Sequence, residues 1–177
     1  MTGNRVRRSS TQSVKADATV ARTPRGYDAG KKINGRKRHL LTDTLGLLLA
    51  VLVTPASTTD RDAARRLLPA ARGRFGRLAR VWADGGYTGH LVDWSATQLG
   101  VVLDIVCRSD DMRGFQILPR RWVVERSFAW CLRSRRLVRD YERRTDTSEA
   151  VIPWSMTMLM SRRLAARGQG PVPARTA

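Results

Sequence analysis

Two acidic residues stand where they could bind a divalent metal ion. Asp84 ends the apolar segment of VWADGGYTG (81–89), and two glycines follow it at once. The two glycines allow a tight turn or the close approach of another backbone. An acid at such a strand end is well placed to bind a ligand. Glu125 borders the apolar stripe of a segment with helical spacing. Paired carboxylates bind Mg²⁺, and two such ions can activate a hydroxyl or water in phosphodiester chemistry.

Glu125 also has an ordinary interpretation. Arg121 precedes it by four residues, and an i, i+4 pair of opposite charge on a helix surface contributes a few tenths of a kcal/mol to stability. Spacing alone favours this surface pair over a metal ligand.

The charge balance indicates a polyanionic partner. The chain has 33 Lys and Arg against 15 Asp and Glu, a net charge of +18, which is more than solubility requires. Two segments are especially basic, GKKINGRKRH (30–39) and RSRRLVRDYERR (133–144). A basic segment is often only a solvated surface, but the excess over the whole chain favours nucleic acid. The predicted DNA contacts are Lys31, Lys32, Arg36, Lys37, Arg38, Arg133, Arg135 and Arg136.

Other functional classes are disfavoured. Cys107 and Cys131 lack the spacing of a disulfide framework or a zinc site. The N-terminus has no apolar segment typical of a secretory signal, and the most apolar run, 45–53, is too short to span a bilayer. Because the positive charge is spread along the chain, its pattern disfavours a membrane surface as the partner. We expect a cytoplasmic protein with no membrane partner.

The elements that must position these residues follow from periodicity and turn signals. Residues 1–34 are polar and basic and are predicted to be a largely irregular arm. Two antiparallel strands joined by a turn at 43–46 come next, and then a helix with Thr59 as its N-cap. A strand that ends before Asp84 and a helix closed by Gly100 follow.

The C-terminal half continues with a fourth strand and a loop at 108–118. A long helix is then predicted from Pro119 through 144, followed by a last helix capped by Ser148. The order indicates an α/β fold, a mixed sheet flanked by helices, for which the ribonuclease-H-like fold is one candidate. The predicted folded domain is 35–165, and the tail 166–177 is predicted to be disordered.

Four segments together carry a resemblance to a known family. They are GYDAGKKINGRKRHLLTDTLGLLL, VTPASTTDRDAA, VWADGGYTG and LPRRWVVERSFAWCLRSRRLVRDYER, in that order. They resemble the C-terminal catalytic part of bacterial DDE-class transposases of the insertion-sequence-five family. The resemblance implies a ribonuclease-H-like fold in which an Asp, Asp, Glu triad uses Mg²⁺ or Mn²⁺ to cut DNA at the element's ends and to join it to target DNA. It also implies a nucleoid-associated bacterial protein that forms a homodimer on DNA.

The resemblance assigns roles to individual residues. Asp84 matches the second catalytic Asp and Glu125 the catalytic Glu, so both are expected to bind the metal. Arg121 resembles the Arg of the family's tyrosine, arginine, glutamate signature. Leu118 stands at the tyrosine position of that signature, and Arg133 approximates the basic residue after the Glu.

The first catalytic Asp is missing. The family segment Asp-Ser-Gln-Ser-Val-Lys corresponds to residues 10–15, so that Ser10 stands in place of the Asp. A neutral hydroxyl cannot supply the charge of a bridging carboxylate. Asp17, Asp28 and Asp43 are alternative ligands for which spacing gives no argument. The region that such transposases carry before this Asp is also absent from the sequence, which suggests a truncated or impaired copy.

Three functions are therefore open. The first is a DNA transposase with an impaired active site. The second is a non-catalytic DNA-binding protein that inhibits or accompanies the full-length transposase. The third, an unrelated RNA-binding protein, is disfavoured by the ordered motifs around Asp84 and Glu125.

Overall fold

The computed structural model describes residues 7–106 and 122–168, which form one mixed β-sheet flanked by helices. The strands are β1 (Arg7–Lys15), β2 (Gly26–Asp28), β3 (Ile33–Thr42), β4 (Leu48–Pro55), β5 (Arg80–Ala83) and β6 (Val102–Ile105). The helices are α1 (Asp60–Arg74), α2 (His90–Leu99), α3 (Trp122–Leu132), α4 (Arg135–Val138) and α5 (Thr145–Gly168).

The sheet has an antiparallel half and a parallel half that meet at β1. The order is β2-β3-β1-β5-β6, with β4 also paired to β3. β1 is antiparallel to β3 and parallel to β5, and β5 is parallel to β6. β1 therefore lies in the middle of the sheet, where both of its edges are paired.

Helices cover both faces of the sheet. Successive strand residues point to opposite faces, and Leu40 and Leu41 on β3 accordingly belong to different clusters of buried residues. Leu41 packs with the buried side of α1 and with Leu91 of α2. Leu40 packs with Phe128 of α3 and Ile152 of α5. The prediction of an α/β sheet flanked by helices is confirmed.

Several local predictions are also confirmed. The turn between β3 and β4 has Gly46 at φ 81°, a left-handed conformation that favours glycine. The Thr59 side chain accepts a hydrogen bond from the Asp62 amide at the start of α1. Gly100 ends α2 at φ 61°, and β4 ends at Pro55.

The irregular arm predicted for residues 1–34 is wrong for much of its length, because β1 and β2 lie within it. The sequence of β1, RRSSTQSVK, lacks alternating apolar residues, which is why periodicity did not indicate a strand. Its polar side chains find partners inside the fold instead. The Ser9 hydroxyl donates to the Tyr87 hydroxyl (2.9 Å), and the Ser13 hydroxyl donates to the Asp28 carboxylate (2.5 Å).

The single long helix predicted up to residue 144 is also wrong. α3 ends at Leu132, α4 starts after Ser134, and the chain from Arg139 to Arg144 is not helical. Asp140 excludes a helix through its own segment, because it is buried and its backbone pairs with Ala16, directly after β1: its amide donates to Lys15 O (3.0 Å), and its carbonyl accepts from the Asp17 amide (2.8 Å). A continuous helix would need both of those groups for itself.

The last helix starts earlier and ends later than predicted. α5 begins at Thr145, so Ser148 is not its cap but a buried residue whose hydroxyl donates to Asp140 Oδ2 (2.8 Å). α5 reaches Gly168, and the rest of the predicted tail lies outside the described residues, as does the predicted loop 108–118. No helix within 7–106 or 122–168 is long and apolar enough to cross a membrane.

His39 on β3 makes stability depend on pH. The ring is fully buried, with Nε2 at 2.9 Å from the Thr54 hydroxyl, and burial lowers the pKa of His39 to about 4. The unfolded chain therefore binds a proton near the ordinary pKa of about 6.5, which the folded chain does not bind until about pH 4. We expect the free energy of unfolding to fall by up to about 3 kcal/mol between pH 6.5 and pH 4.

Urea unfolding across this pH range measures the effect. His39→Gln, which does not titrate there, should lose that part of the slope and keep the part due to carboxylates. An identical pH dependence in the two proteins would contradict the assignment to His39.

Candidate active site and basic surface

Ser10 lies on β1, and Asp84 directly follows β5, the strand that pairs with β1 in parallel. β1 pairs with β5 so that Arg7 is beside Val81 and Arg8 beside Trp82. The same register continued by two residues brings Ser10 level with Asp84, which directly follows β5. The Arg8 guanidinium lies over the Trp82 ring, 4.8 Å from its centre. Since side chains alternate along a strand, Ser10 and Asp84 belong to the same face as this stacked pair.

Asp84 shapes the turn that follows β5. Its side chain accepts a hydrogen bond from the Gly86 amide (3.0 Å) and caps the short 3₁₀ turn Gly85–Tyr87. The residue is exposed, so that it is accessible from solvent. A Cβ at Gly86 would lie 3.0 Å from Asp60 Oδ2 and 3.1 Å from Asp84 Oδ1, whereas one at Gly85 would meet nothing within 4 Å. The tight turn expected after Asp84 is therefore present, and Gly86 is the glycine at which a side chain would need the neighbouring carboxylates to move.

Asp60 is an acid near this turn that the sequence reasoning missed. It begins α1, and its carboxylate accepts a hydrogen bond from the Thr11 hydroxyl (3.4 Å) and pairs with Lys37 Nζ (3.3 Å). Thr11 is on the opposite face of β1 from Ser10. Asp60 therefore approaches the Asp84 turn from the α1 side of the sheet. Position in the sequence gave no signal of this, because Asp60 follows a helix cap and resembles an ordinary first-turn acid.

Glu125 lies in the first turn of α3 and is exposed. The next two residues attach α3 to the β3–β4 turn: Arg126 Nη2 donates to Leu45 O (3.1 Å) and the Ser127 hydroxyl donates to Gly46 O (3.0 Å). α3 also packs against β1, and Phe128 is buried against the sheet. Glu125 is thus carried by the helix that covers the face to which Ser10 belongs.

Of the three predicted catalytic residues, the structure describes Asp84 and Glu125. Arg121 is not among the residues that the structure describes, and neither is Leu118. Within 7–106 and 122–168, no group of three His, Cys, Asp or Glu side chains is placed to hold a metal ion.

The three alternative acids have local structural roles. Asp43 accepts hydrogen bonds from the amides of Leu45 and Leu47 (2.8 and 2.9 Å) in the β3–β4 turn. Asp28 accepts from the Ser13 hydroxyl, which lowers the pKa of Asp28. The Asp17 carboxylate accepts from the Thr19 amide (3.2 Å).

Two of the predicted DNA contacts need correction, because Arg36 and Arg38 are buried. Arg36 Nη1 pairs with Asp140 Oδ1 (3.2 Å), and neither side chain is exposed to solvent. Its Nη2 also donates to Arg143 O (3.0 Å). Arg38 Nη1 donates to Leu137 O (2.6 Å), and burial lowers the pKa of Arg38. Side chains on β3 alternate between the two faces of a sheet that is covered on both sides, so a run of cations there cannot stay at the surface.

The other predicted contacts are at or near the surface. Lys37 is half-buried and held by Asp60 and by the Thr58 carbonyl (2.9 Å). Arg136 is exposed and pairs with Glu142 (2.8 Å). The remaining four, all exposed, are Lys31, Lys32, Arg133 and Arg135.

The comparisons with known proteins identify the family. A family model described as the transposase DDE domain matches residues 9–160. The chain belongs to the DDE transposase family. A relative from Burkholderia cepacia, named "Putative transposase for insertion sequence element IS402", is 32% identical over 125 residues, which are 67% of this chain and 59% of that protein. The match thus spans less than two thirds of the relative's length. The resemblance to DDE-class insertion-sequence transposases is confirmed.

Solved structures of retroviral integrases share the fold of this transposase family member. The HTLV-2 integrase catalytic core domain in complex with magnesium superposes with a TM-score of 0.53 at 14% identity, covering 88% of this chain and 86% of that one. The BIV integrase catalytic core gives 0.52 at 12%, covering 94% and 100%. A chain of the simian T-cell lymphotropic virus intasome gives 0.56 at 16%, covering 88% and 49%. The ribonuclease-H-like fold is therefore confirmed.

The burial of Arg36 leads to a prediction about the basic residues of this transposase family member. Removing one partner of a buried ion pair leaves the other charge uncompensated and costs about 3–5 kcal/mol. We expect Arg36→Met to lower the free energy of unfolding by that amount. Lys31→Gln, at an exposed position, should change it by less than about 0.5 kcal/mol.

Thermal and urea unfolding of the two variants beside the parent chain checks this contrast. Equal stability of Arg36→Met and Lys31→Gln would show that the Arg36–Asp140 pair does not hold the fold together.

Proposed function

We propose that this transposase family member binds DNA and that its own strand cleavage is impaired because Ser10 stands at the position of the first metal-binding carboxylate. The observation that supports the proposal is the parallel pairing of β1 with β5, in which Arg7 pairs with Val81 and Arg8 with Trp82; continued by two residues, this register would bring Ser10 level with Asp84. Side chains on two adjacent parallel strands can bind the same metal ion when they lie level with each other. With serine on one strand, the site keeps one carboxylate of the pair.

The remaining donors suit a hard divalent cation but bind it weakly. Asp84 is exposed, and the hydrogen bond from Gly86 orients its carboxylate without neutralising it. Glu125 is exposed on α3. Mg²⁺ and Mn²⁺ take carboxylate oxygens and keep several waters, so that one or two carboxylates suffice for a loose site. In the proposed assignment Asp84 and Glu125 would hold the ion, which when bound supplies charge to the attacking and leaving oxygens of a phosphodiester.

The residues around Asp84 and Glu125 orient the two carboxylates in this proposal. The end of β5 and the capped turn Gly85–Tyr87 orient the Asp84 carboxylate. The bonds from Arg126 and Ser127 to the β3–β4 turn fix the first turn of α3, and with it Glu125. Ser10 can donate or accept a hydrogen bond but brings no charge, and stabilisation of a developing charge depends on fixed charges and dipoles.

DNA binding in this proposal rests on the exposed cations. Lys31, Lys32, Arg133 and Arg135 are exposed in a chain of net charge +18. Phosphate neutralisation needs only accessible cations and does not depend on the acid at position 10. Binding and cleavage are therefore separable functions of the same chain.

The second candidate function follows from that separation. A chain that binds DNA but cannot cut it would occupy the DNA of an active transposase, or pair with that transposase, and thereby inhibit or accompany it. The observation that favours this candidate is the same hydroxyl at Ser10 beside an exposed basic surface. Assembly as a homodimer on DNA stays a prediction.

The decisive experiment restores the missing acid. We expect the parent chain to leave duplex DNA carrying the insertion sequence's own ends uncut in Mg²⁺ or Mn²⁺, and Ser10→Asp to nick it. The reason is that the carboxylate would face Asp84 across the parallel pair. The measurement is the appearance of nicked strands on a denaturing gel, and the matched controls are Ser10→Asn, which is of similar size but neutral, and the double variant Ser10→Asp with Asp84→Ala.

Three outcomes separate the candidates. Nicking by Ser10→Asp alone supports the impaired transposase. Cleavage by the parent chain that is lost in Asp84→Ala contradicts it and points to another acid, which Asp60→Asn then tests. No cleavage by any variant, with DNA binding retained, favours the binding-only candidate.

DNA binding itself should depend strongly on salt. Each phosphate neutralised by Lys or Arg contributes about 0.9 to the slope of log affinity against log salt on duplex DNA. We expect the double variant Lys31→Gln and Lys32→Gln to reduce that slope by about 1 to 2. The measurement is fluorescence anisotropy with labelled duplex DNA at salt concentrations from about 50 to about 300 mM. Equal affinity over the whole range would contradict electrostatic binding.

A further inference from the structure

A tryptophan on α3 lies against two arginines, one from its own helix and one from α5. The Arg126 guanidinium carbon is 4.9 Å from the centre of the Trp130 ring, and that of Arg163 is 4.6 Å from it. All three side chains are half-buried, so that each keeps part of its surface in solvent. We call these three residues the Arg–Trp–Arg cluster.

The cluster holds two like charges together. Contact of each guanidinium with the indole face offsets part of the cost of bringing them together, because a cation is attracted to the ring. An anion that reaches both guanidiniums would be attracted by both charges.

The position of the cluster relates it to the candidate active site. Arg126 directly follows Glu125 in the first half of α3, and its Nη2 donates to Leu45 O (3.1 Å). That bond orients the guanidinium beside the β3–β4 turn. On the α5 side, the Nε atom of Arg163 is buried and has no hydrogen-bond partner among the described residues.

We infer that the Arg–Trp–Arg cluster binds the phosphodiester backbone of DNA next to the candidate active site. A guanidinium matches a phosphate with two parallel hydrogen bonds, and it is more weakly hydrated than an ammonium group, which suits a half-buried position. The Trp130 ring already has both guanidiniums against it and is therefore poorly placed to stack on a base. The contact is then with phosphate and independent of base sequence.

This inference rests on the proposed DNA binding and names residues that hold the DNA. Neither arginine is among the DNA contacts that the sequence predicts, because both lie outside the basic segments 30–39 and 133–144. The opposing interpretation is that both arginines only brace α3 against α5 through Trp130. A brace would affect stability, whereas a phosphate contact would affect the salt dependence of binding.

The test compares Arg163→Gln with Arg162→Gln in the full chain. Arg162 precedes Arg163 on α5, is exposed, and loses the same charge on substitution, so it controls for net charge. The measurement is fluorescence anisotropy with a labelled duplex at several salt concentrations, repeated with a second duplex of unrelated sequence. Thermal unfolding of each variant reports whether it is folded.

We expect Arg163→Gln to reduce the salt slope by about 0.9, and by the same amount on both duplexes. Arg162→Gln should reduce it by less than about a third of that. Arg126→Gln together with Arg163→Gln should reduce it by about twice the single change. Equal slopes for Arg163→Gln and Arg162→Gln would overturn the inference while leaving DNA binding intact.

A second variant, Arg163→Lys, keeps the inference testable if Arg163→Gln does not fold. If Arg163→Gln is unfolded, Arg163→Lys keeps the charge but loses the planar pair of donors. It should then bind DNA several-fold more weakly than the parent with the slope little changed, and parental affinity would overturn the inference. Absence of salt-dependent DNA binding by the parent chain would instead refute the proposed function, and with it this inference.

Discussion

The parallel pairing of β1 with β5 is the contact on which the candidate site depends. It brings a strand from the start of the chain beside one that follows α1, and its register decides which residues meet at the strand ends. A slip by one residue would turn Ser10 to the opposite face and separate it from Asp84. The register is held on the other side of β1 by eight antiparallel partners on β3, from Arg8 opposite Thr42 to Lys15 opposite Gly35.

That antiparallel pairing is itself secured by close packing and buried charge. A Cβ at Gly35 would lie 2.0 Å from Val14 O, so only glycine permits this approach of β3 to β1. One residue later, Arg36 reaches Asp140, which also accepts from the Ser148 hydroxyl and from the Glu142 amide (3.0 Å). Asp140 thereby connects the sheet, the α4–α5 segment and the start of α5. A buried pair of this kind is costly to break even where forming it contributes little net stability.

Sequence patterns predicted the parts of the fold in which local signals and burial agree. The β3–β4 turn, the Thr59 cap and the Gly100 end of α2 each follow from a few neighbouring residues, and each is present. β1 was missed because its partners are distant in sequence: Ser9 meets Tyr87, and Ser13 meets Asp28. Its polar residues are buried by hydrogen bonding and not by apolar alternation, so periodicity carries no signal.

The prediction that every cation of the basic segments is exposed was wrong for a similar reason. Composition does not distinguish Arg36 and Arg38 from Lys31 and Lys32. The two arginines are nevertheless buried, whereas the two lysines are exposed. Similarly, the helical spacing through 119–144 gave no sign that Asp140 pairs with Ala16 after β1, which excludes a helix through that residue. In both cases a contact across the fold outweighed a local preference. Motif resemblance, by contrast, predicts roles for Asp84 and Glu125 without reference to their contacts, and these roles stay predictions.

A serine at position 10 is compatible with the fold for a physical reason. Carboxylates that converge on a metal repel one another when no cation is present, and this repulsion costs stability in the folded state. A neutral hydroxyl on β1 removes one charge from the proposed site, and β1 already carries the small polar residues Ser9, Thr11 and Ser13. The chemistry of a strand-end carboxylate can therefore be lost while the sheet, the buried Arg36–Asp140 pair and the exposed cations persist.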